Sequence, residues 1–367
     1  MNTKLILVAA IASTALAVAA TGEPKANKQM QAVLDELATL GGKPIETLTP
    51  EEARKQPSPA DAVKSLLKKR GDSIAPEAVA KVENKLIPVS GGEVAIRIYS
   101  PEGAGPFPVI VYIHGGGWVI ADLDTYDSSP RALANACKAV VVSTHYRLAP
   151  EHPFPASHDD VFAAYQWTLA NAETFNGDPA RIAVAGESAG GNMAVGISLM
   201  AREQKVPLPL HQLLVYPVAD TDMTTESFKE HADAKPLNKA MMEWFAKHEL
   251  KNPKDKDDPR IDLLAANLRG LPATTIITAE IDPLRSGGKM LAAKLKAAGV
   301  DVDYKNYEGV AHEFFGMGAV LDESWDATEF AAKNLQEAFN QKGERAQRAD
   351  ATGVSADVKQ LKNYIEP

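Results

Sequence analysis

The sequence predicts an α/β fold, a mostly parallel sheet with helices on both faces. Three observations carry this. Short apolar runs that read as strands alternate with helical patterns along most of the 367 residues. One of them, Pro108-Val109-Ile110-Val111-Tyr112-Ile113, is continuously apolar, as a strand buried on both faces must be. Another, Ile182-Ala183-Val184-Ala185, leads into Gly186-Glu187-Ser188-Ala189-Gly190 and then a helical pattern through Met193, Val195 and Met200, so that strand, sharp turn and helix follow one another.

The first twenty residues differ from the rest. Met1 to Lys4 is a short positive segment, Leu5 to Val18 is apolar, and Ala17-Val18-Ala19 fits a small-x-small cleavage site. Residues 1–20 therefore read as a secretory signal peptide, which predicts an exported protein, periplasmic or secreted. The apolar run is short for a spanning helix, which needs ~20 residues, so no stable membrane span is expected after cleavage. With 48 acidic against 39 basic residues the formal charge is −9, which argues against a nucleic-acid partner because no basic excess exists to neutralise phosphates. Cys137 is the only cysteine, so an exported form has no internal disulfide and its stability must come from the core. Lying just before an apolar strand, Cys137 reads as a small buried hydrophobe.

Residues 21–85 look helical and separate from the sheet. Met30, Val33, Leu34, Leu37 and Leu40 recur at helical spacing up to Gly41-Gly42, and a second helix around Val63, Leu66 and Leu67 stops near Gly71. An apolar stripe must pack on something, and a cap over a site is one use for it. The α/β region is expected over residues 86–342. Glu93 to Tyr99 alternates with period two, as a strand with one solvated face does. The buried run Pro108–Ile113 follows, then a helix around Pro130 to Ala136, the strand Ala139 to Ser143, and a helix from Asp159 to Thr174. After the Ser188 turn, further strands are expected at Leu210 to Tyr216, Thr274 to Thr278 and Val302 to Tyr304. A polar interruption over about 217–262 carries a helical piece, Lys239 to His248, whose Met241, Met242, Trp244 and Phe245 suit either a packing face or an acyl pocket. The tail, residues 343–367, is charged and polar.

The turn around Ser188 has the demands of a nucleophile turn. It is tight, so its flanking positions carry almost no side chain, and Gly186, Ala189, Gly190 and Gly191 meet that condition. It also leaves the Ala189 amide at a helix N-terminus, where free N–H groups favour negative charge. Upstream stands His114-Gly115-Gly116-Gly117-Trp118, directly after the buried strand. Successive glycines let a backbone approach a ligand closely. Acyl transfer passes through a tetrahedral oxyanion, and the amides of Gly115, Gly116 and Ala189 suit that charge; losing one such donor typically costs roughly 3 kcal/mol in the barrier. A phosphate cradle would want a lysine or a following helix start, and neither is present. A base is available in His312, after the last strand, and an orienting acid in Asp282, after the strand before it, with Glu280 as the rival acid. His145, His152, His158, His211, His231 and His248 lack such context and read as structural or exposed, and His114 reads as shaping its loop. No H-E-x-x-H, paired cysteines or dinucleotide fingerprint occurs, so neither a metal nor an organic cofactor is expected.

His114-Gly115-Gly116-Gly117-Trp118, then Tyr146-Arg147-Leu148-Ala149-Pro150-Glu151-His152-Pro153-Phe154-Pro155-Ala156, then the Gly186–Gly191 turn, then Asp282-Pro283-Leu284-Arg285, resemble the hormone-sensitive lipase family of bacterial esterases over roughly residues 86–339. The resemblance implies an α/β-hydrolase fold whose helical cap comes from the N-terminal segment and the insertion. It implies hydrolysis of carboxylic esters of short- to medium-chain acids, with Ser188, Asp282 and His312 as the triad and Gly115, Gly116 and Ala189 as oxyanion donors. The order Ser, Asp, His is the one that fold uses. Two residues depart from the family pattern. Glu187 stands where Asp is common, and its longer carboxylate is expected to make similar backbone contacts. Glu313 stands where Gly is usual, and its charge beside the base is expected to raise the pKa of His312 or alter the pocket rim. An activated amide, such as an aryl formamide, suits the same machinery. A binding protein that keeps the fold without catalysis is disfavoured because every triad position is filled.

Overall fold

The computed structural model describes residues 25–351. The expected signal peptide, residues 1–20, lies outside them, as does the tail from residue 352. Among the described residues no helix is long and apolar enough to cross a membrane.

One eight-stranded sheet organises the chain: β1 (Lys81–Val89), β2 (Gly92–Ser100), β3 (Phe107–Ile113), β4 (Val140–Thr144), β5 (Gly177–Glu187), β6 (His211–Val215), β7 (Ala273–Ile281) and β8 (Val302–Ala311). The spatial order is β1-β2-β4-β3-β5-β6-β7-β8. Only β1 with β2 and β2 with β4 pair antiparallel; every other pair is parallel. The helices are α1 (Lys28–Thr39), α2 (Pro50–Ala53), α3 (Pro59–Arg70), α4 (Ser128–Cys137), α5 (Ala156–Asn171), α6 (Ala189–Gln204), α7 (Glu226–Glu230), α8 (Lys239–Glu249), α9 (Arg285–Ala297) and α10 (Asp322–Ala351).

The apolar run of β3 shows why both faces are covered. Successive side chains point to opposite sides of a strand. Val109, Val111 and Ile113 enter the cluster containing Val161 and Phe162 of α5, Met193 of α6 and Leu291 of α9. Ile110 and Tyr112 enter the cluster formed by Met30 of α1, Val63 of α3, Leu133 of α4 and Leu335 of α10. Cys137 is buried in that second cluster, and burial pushes its thiol up to about 12. It serves there as packing, as the sequence suggests.

Two expectations need correction. Residues up to 85 do not stay helical, because β1 begins at Lys81. It is an edge strand paired only with β2, and Ile87 is its sole buried residue, so its charged sequence carries no apolar alternation to read. The last strand is longer than Val302 to Tyr304; it runs to Ala311, so His312 directly follows its C-terminal end.

The N-terminal helices pack as an arm across the site end of the sheet. Helix α3 is framed by a capping box between Ser58 and Asp61 and ends at Gly71 in the left-handed conformation that glycine takes without strain. Arg54, just after α2, spreads its guanidinium over three partners: Nε donates to Val119 O (2.9 Å), Nη2 to Ala149 O (2.8 Å), and both Nη atoms reach the Glu151 carboxylate. The arm is thereby hooked to the segment following the triple glycine. The insertion joins it from the other side. Trp244 Nε1 of α8 donates to Leu48 O at 3.2 Å, and Phe245 of the same helix lies on Gly117, where an added Cβ would fall 2.3 Å from the ring.

Candidate active site

Ser188 sits between the last residue of β5 and the first of α6 with φ 57 and ψ −119, a strained backbone held only because its surroundings impose it. The Ser188 amide donates to Val215 O (2.9 Å), while Ser188 O accepts from Asn192 N and Val218 N (both 3.2 Å). The small neighbours are required. A Cβ at Gly186 would lie 2.1 Å from Gly190 O, and one at Gly190 would lie 2.1 Å from Ile113 O.

The structure brings together the three residues that the chain order suggests. His312 Nε2 is 3.0 Å from Ser188 Oγ, and His312 Nδ1 is 2.7 Å from Asp282 Oδ2. All three are buried. The chemistry assigns the tautomer: Nδ1–H donates to the carboxylate and Nε2 accepts the serine hydroxyl. Asp282 is itself fixed, since its Oδ1 accepts from Leu284 N at 2.8 Å. Glu280, the rival acid, points elsewhere, and its Oε2 accepts from Gly309 N at 2.7 Å. Burial disfavours the charged imidazole of His312, but the Asp282 carboxylate, together with those of Glu313 and Glu187, more than offsets it, so the pKa lies above the ordinary histidine value.

The amides of Gly115, Gly116 and Ala189 have no hydrogen-bond acceptor among the described residues. Gly115 lies against Ser188, for a Cβ placed on it would be 3.1 Å from Ser188 Cβ. Gly116 has φ 95, and a Cβ there would be 2.2 Å from Ile120 O. Their orientation comes from residues that spacing alone does not single out. The Gly115 carbonyl accepts from Tyr146 Oη (2.9 Å) and from His114 Nδ1 (2.8 Å). In a planar trans peptide the following N–H points the opposite way, so holding this carbonyl aims the Gly116 amide. Burial depresses His114 to about 3, which keeps it neutral, and its Nε2 accepts from His145 Nδ1 at 2.9 Å. Tyr146 belongs to a quoted motif, but nothing in the linear order signals its contact with Gly115.

Glu187 does not make the backbone contacts expected of it. Its carboxyl is buried and accepts from the hydroxyls of Tyr112 and Tyr216 on the neighbouring strand and loop. Burial, with the like charge of Glu313, pushes it up to about 7 against those donors. A carboxyl raised in the folded state contributes stability that is present below its unfolded value and lost as pH rises through the folded one. Thermal stability is therefore expected to decline between about pH 5 and 8, and Glu187→Gln should flatten that decline in a series of melting curves. An unchanged slope in Glu187→Gln would count against the assignment. Glu313 takes the left-handed conformation (φ 71); its Oε1 accepts from Tyr126 Oη at 2.6 Å and lies 3.8 Å from His312 Nε2.

Comparisons with known proteins give the family. A family model described as alpha/beta hydrolase fold matches residues 110–316. The chain is 39% identical over 254 residues to carboxylesterase NlhH of Mycobacterium tuberculosis, covering 68% of this chain and 80% of that protein. It is 30% identical over 300 residues to ethyl acetate hydrolase of Pseudomonas putida, covering 80% of this chain and 92% of the relative. Among solved structures, a hyperthermophilic esterase from Pyrobaculum calidifontis superposes with a TM-score of 0.77 at 33% identity, covering 86% of this chain and 98% of the other. With the Gly115–Gly117 loop, the Ser188 turn and the helical arm in the places described, the chain belongs to the hormone-sensitive-lipase-like esterases of the α/β-hydrolase fold family.

Proposed function

We propose that this protein hydrolyses carboxylic esters of short- to medium-chain acids through an acyl-enzyme on Ser188. The observation that carries the reading is the hydrogen-bonded line from Ser188 Oγ through His312 to Asp282 beside three unpartnered amides. His312 Nε2 takes the Ser188 proton as Oγ attacks the ester carbonyl. The oxyanion forms against the amides of Gly115, Gly116 and Ala189. The same imidazole returns the proton to the departing alcohol, and water then releases the acid by the reverse sequence of proton transfers. Asp282 holds Nδ1–H and stabilises the imidazolium.

The chain-length preference is supported by the roof over the oxyanion loop. Phe245 bears directly on Gly117, and α8 is held by its contact with Leu48. That contact narrows the space beside the oxyanion loop. A series of p-nitrophenyl esters tests it: rates are expected to peak at short or medium acyl chains and fall beyond them, whereas a maximum at long chains would defeat the proposal. Relatives bearing the names carboxylesterase and ethyl acetate hydrolase support the ester class. Export is proposed on the sequence of residues 1–20; recovery of the full-length chain in the cytosol on cell fractionation would count against it.

A further inference from the structure

Glu313 is placed where the three-residue mechanism does not use it. Its Oε1 approaches His312 Nε2, the nitrogen that faces Ser188, not the one that faces Asp282. Tyr126, which donates to this carboxyl, stands against the oxyanion loop: a Cβ on Gly115 would meet its hydroxyl at 2.4 Å. Carboxyl, imidazole, tyrosine hydroxyl and Gly115 therefore border one region beside the nucleophile. Glu313 Oε2 has no hydrogen-bond partner among the described residues. A side pocket of about 30 Å³ reaches this carboxyl; Glu313, Glu187, Tyr126 and Ser129 line it, and Pro59 and Thr125 lie on its wall as well. The buried Ser129 hydroxyl lies against the Glu187 carboxyl there. One water needs roughly 10–15 Å³ on this measure and two to four polar partners, and the pocket offers both.

Resting on the esterase reading above, we infer that Glu313 orients the water that hydrolyses the acyl-enzyme and that the pocket beside it is the route of that water. Deacylation requires more of its nucleophile than acylation does. The water must point one proton at His312 Nε2 and a lone pair at the acyl carbon, and it is free to rotate unless its second proton is also held. Well-fixed geometry of this kind is worth a large factor, since misplacement by about 1 Å costs on the order of a hundredfold. A carboxylate 3.8 Å from Nε2 is close enough to accept that second O–H while the first is given to the imidazole. The step balances without a further reagent. The water oxygen bonds to the acyl carbon, one of its protons passes to Nε2 and then to Ser188 Oγ as the acyl–oxygen bond breaks, and the other stays on the released carboxylic acid. Acylation has no water in this role, so the two half-reactions should separate.

The test is the pre-steady-state hydrolysis of p-nitrophenyl acetate by wild type, Glu313→Gln and Glu313→Gly. Glutamine keeps the shape, and glycine suits the left-handed backbone, so loss of fold in one variant leaves the other to decide. Burst rates are expected to stay within about twofold, while the slower steady release falls by roughly tenfold or more. Acid-quenched samples examined by mass spectrometry should show a larger fraction of protein carrying acetyl on Ser188 in the variants. Burst and steady rates falling together, or neither changing, would overturn the inference, because a merely structural or electrostatic role does not divide the half-reactions. Hydrolysis at the wild-type rate by a folded Ser188→Ala protein would instead bring down the esterase mechanism, and this inference with it.

Discussion

Replacing Ser188 by alanine is expected to lower turnover on esters by on the order of a millionfold while leaving the fold intact. The two halves of this expectation have separate causes. The strained backbone at this position is imposed through main-chain bonds to Val215, Val218 and Asn192, and alanine makes all three. The side chain contributes one hydrogen bond, to His312, so the melting temperature should move little. In the proposed mechanism, by contrast, catalysis passes entirely through the hydroxyl. What survives should be the contribution of the free amides and of substrate binding, roughly 10³–10⁴ over water. Steady-state hydrolysis of p-nitrophenyl acetate measures the loss. A fluorophosphonate probe measures its cause, since it should label wild type and not Ser188→Ala. Turnover near the wild-type level in a folded Ser188→Ala protein would remove Ser188 from the mechanism.

Much of this architecture can be read from local pattern, and the remainder depends on contacts between distant residues. The run Val109 to Ile113 is legible because burial on both faces demands apolar residues at every position, and the structure divides them between the two cores. The elbow is legible because steric crowding at Gly186 and Gly190 admits no side chain. Strand β1 is illegible, since an edge strand with one buried side chain has no pattern to display. The same limit applies within the site. The order Ser188, Asp282, His312 shows which residues can converge, but Tyr146 holding Gly115 and Arg54 holding the arm join positions far apart in the chain. Glu187 and Glu313 are visible as departures from a family pattern. Their shared surroundings, three tyrosine hydroxyls and Nε2 of His312, appear only when the sheet gathers Tyr112 of β3, the residues after β6 and β8, and Tyr126 of the loop before α4 around β5.

The choice between two acids is where spacing is weakest and geometry strongest, and it yields the second large effect. Asp282→Asn should lower kcat by about 10⁴, whereas Glu280→Gln should cost no more than about tenfold, the scale of one hydrogen bond. In the wild-type protein Asp282 Oδ2 accepts the Nδ1 proton of His312 and so leaves Nε2 free to receive the serine proton. An asparagine can turn its amide to donate to Nδ1, which moves the imidazole proton to Nε2, where it faces Ser188 and blocks the transfer. The same change removes the charge that raises His312 above its ordinary pKa while leaving the burial that lowers it. The acid limb of the pH profile of kcat/KM must therefore shift to lower pH in Asp282→Asn. Glu280→Gln should leave that limb in place, because the Glu280 carboxylate accepts from the Gly309 amide and not from the imidazole. If Glu280→Gln suffered the large loss and moved the limb while Asp282→Asn did neither, the orienting acid would be Glu280, and the hydrogen bond between His312 and Asp282 would have no part in catalysis.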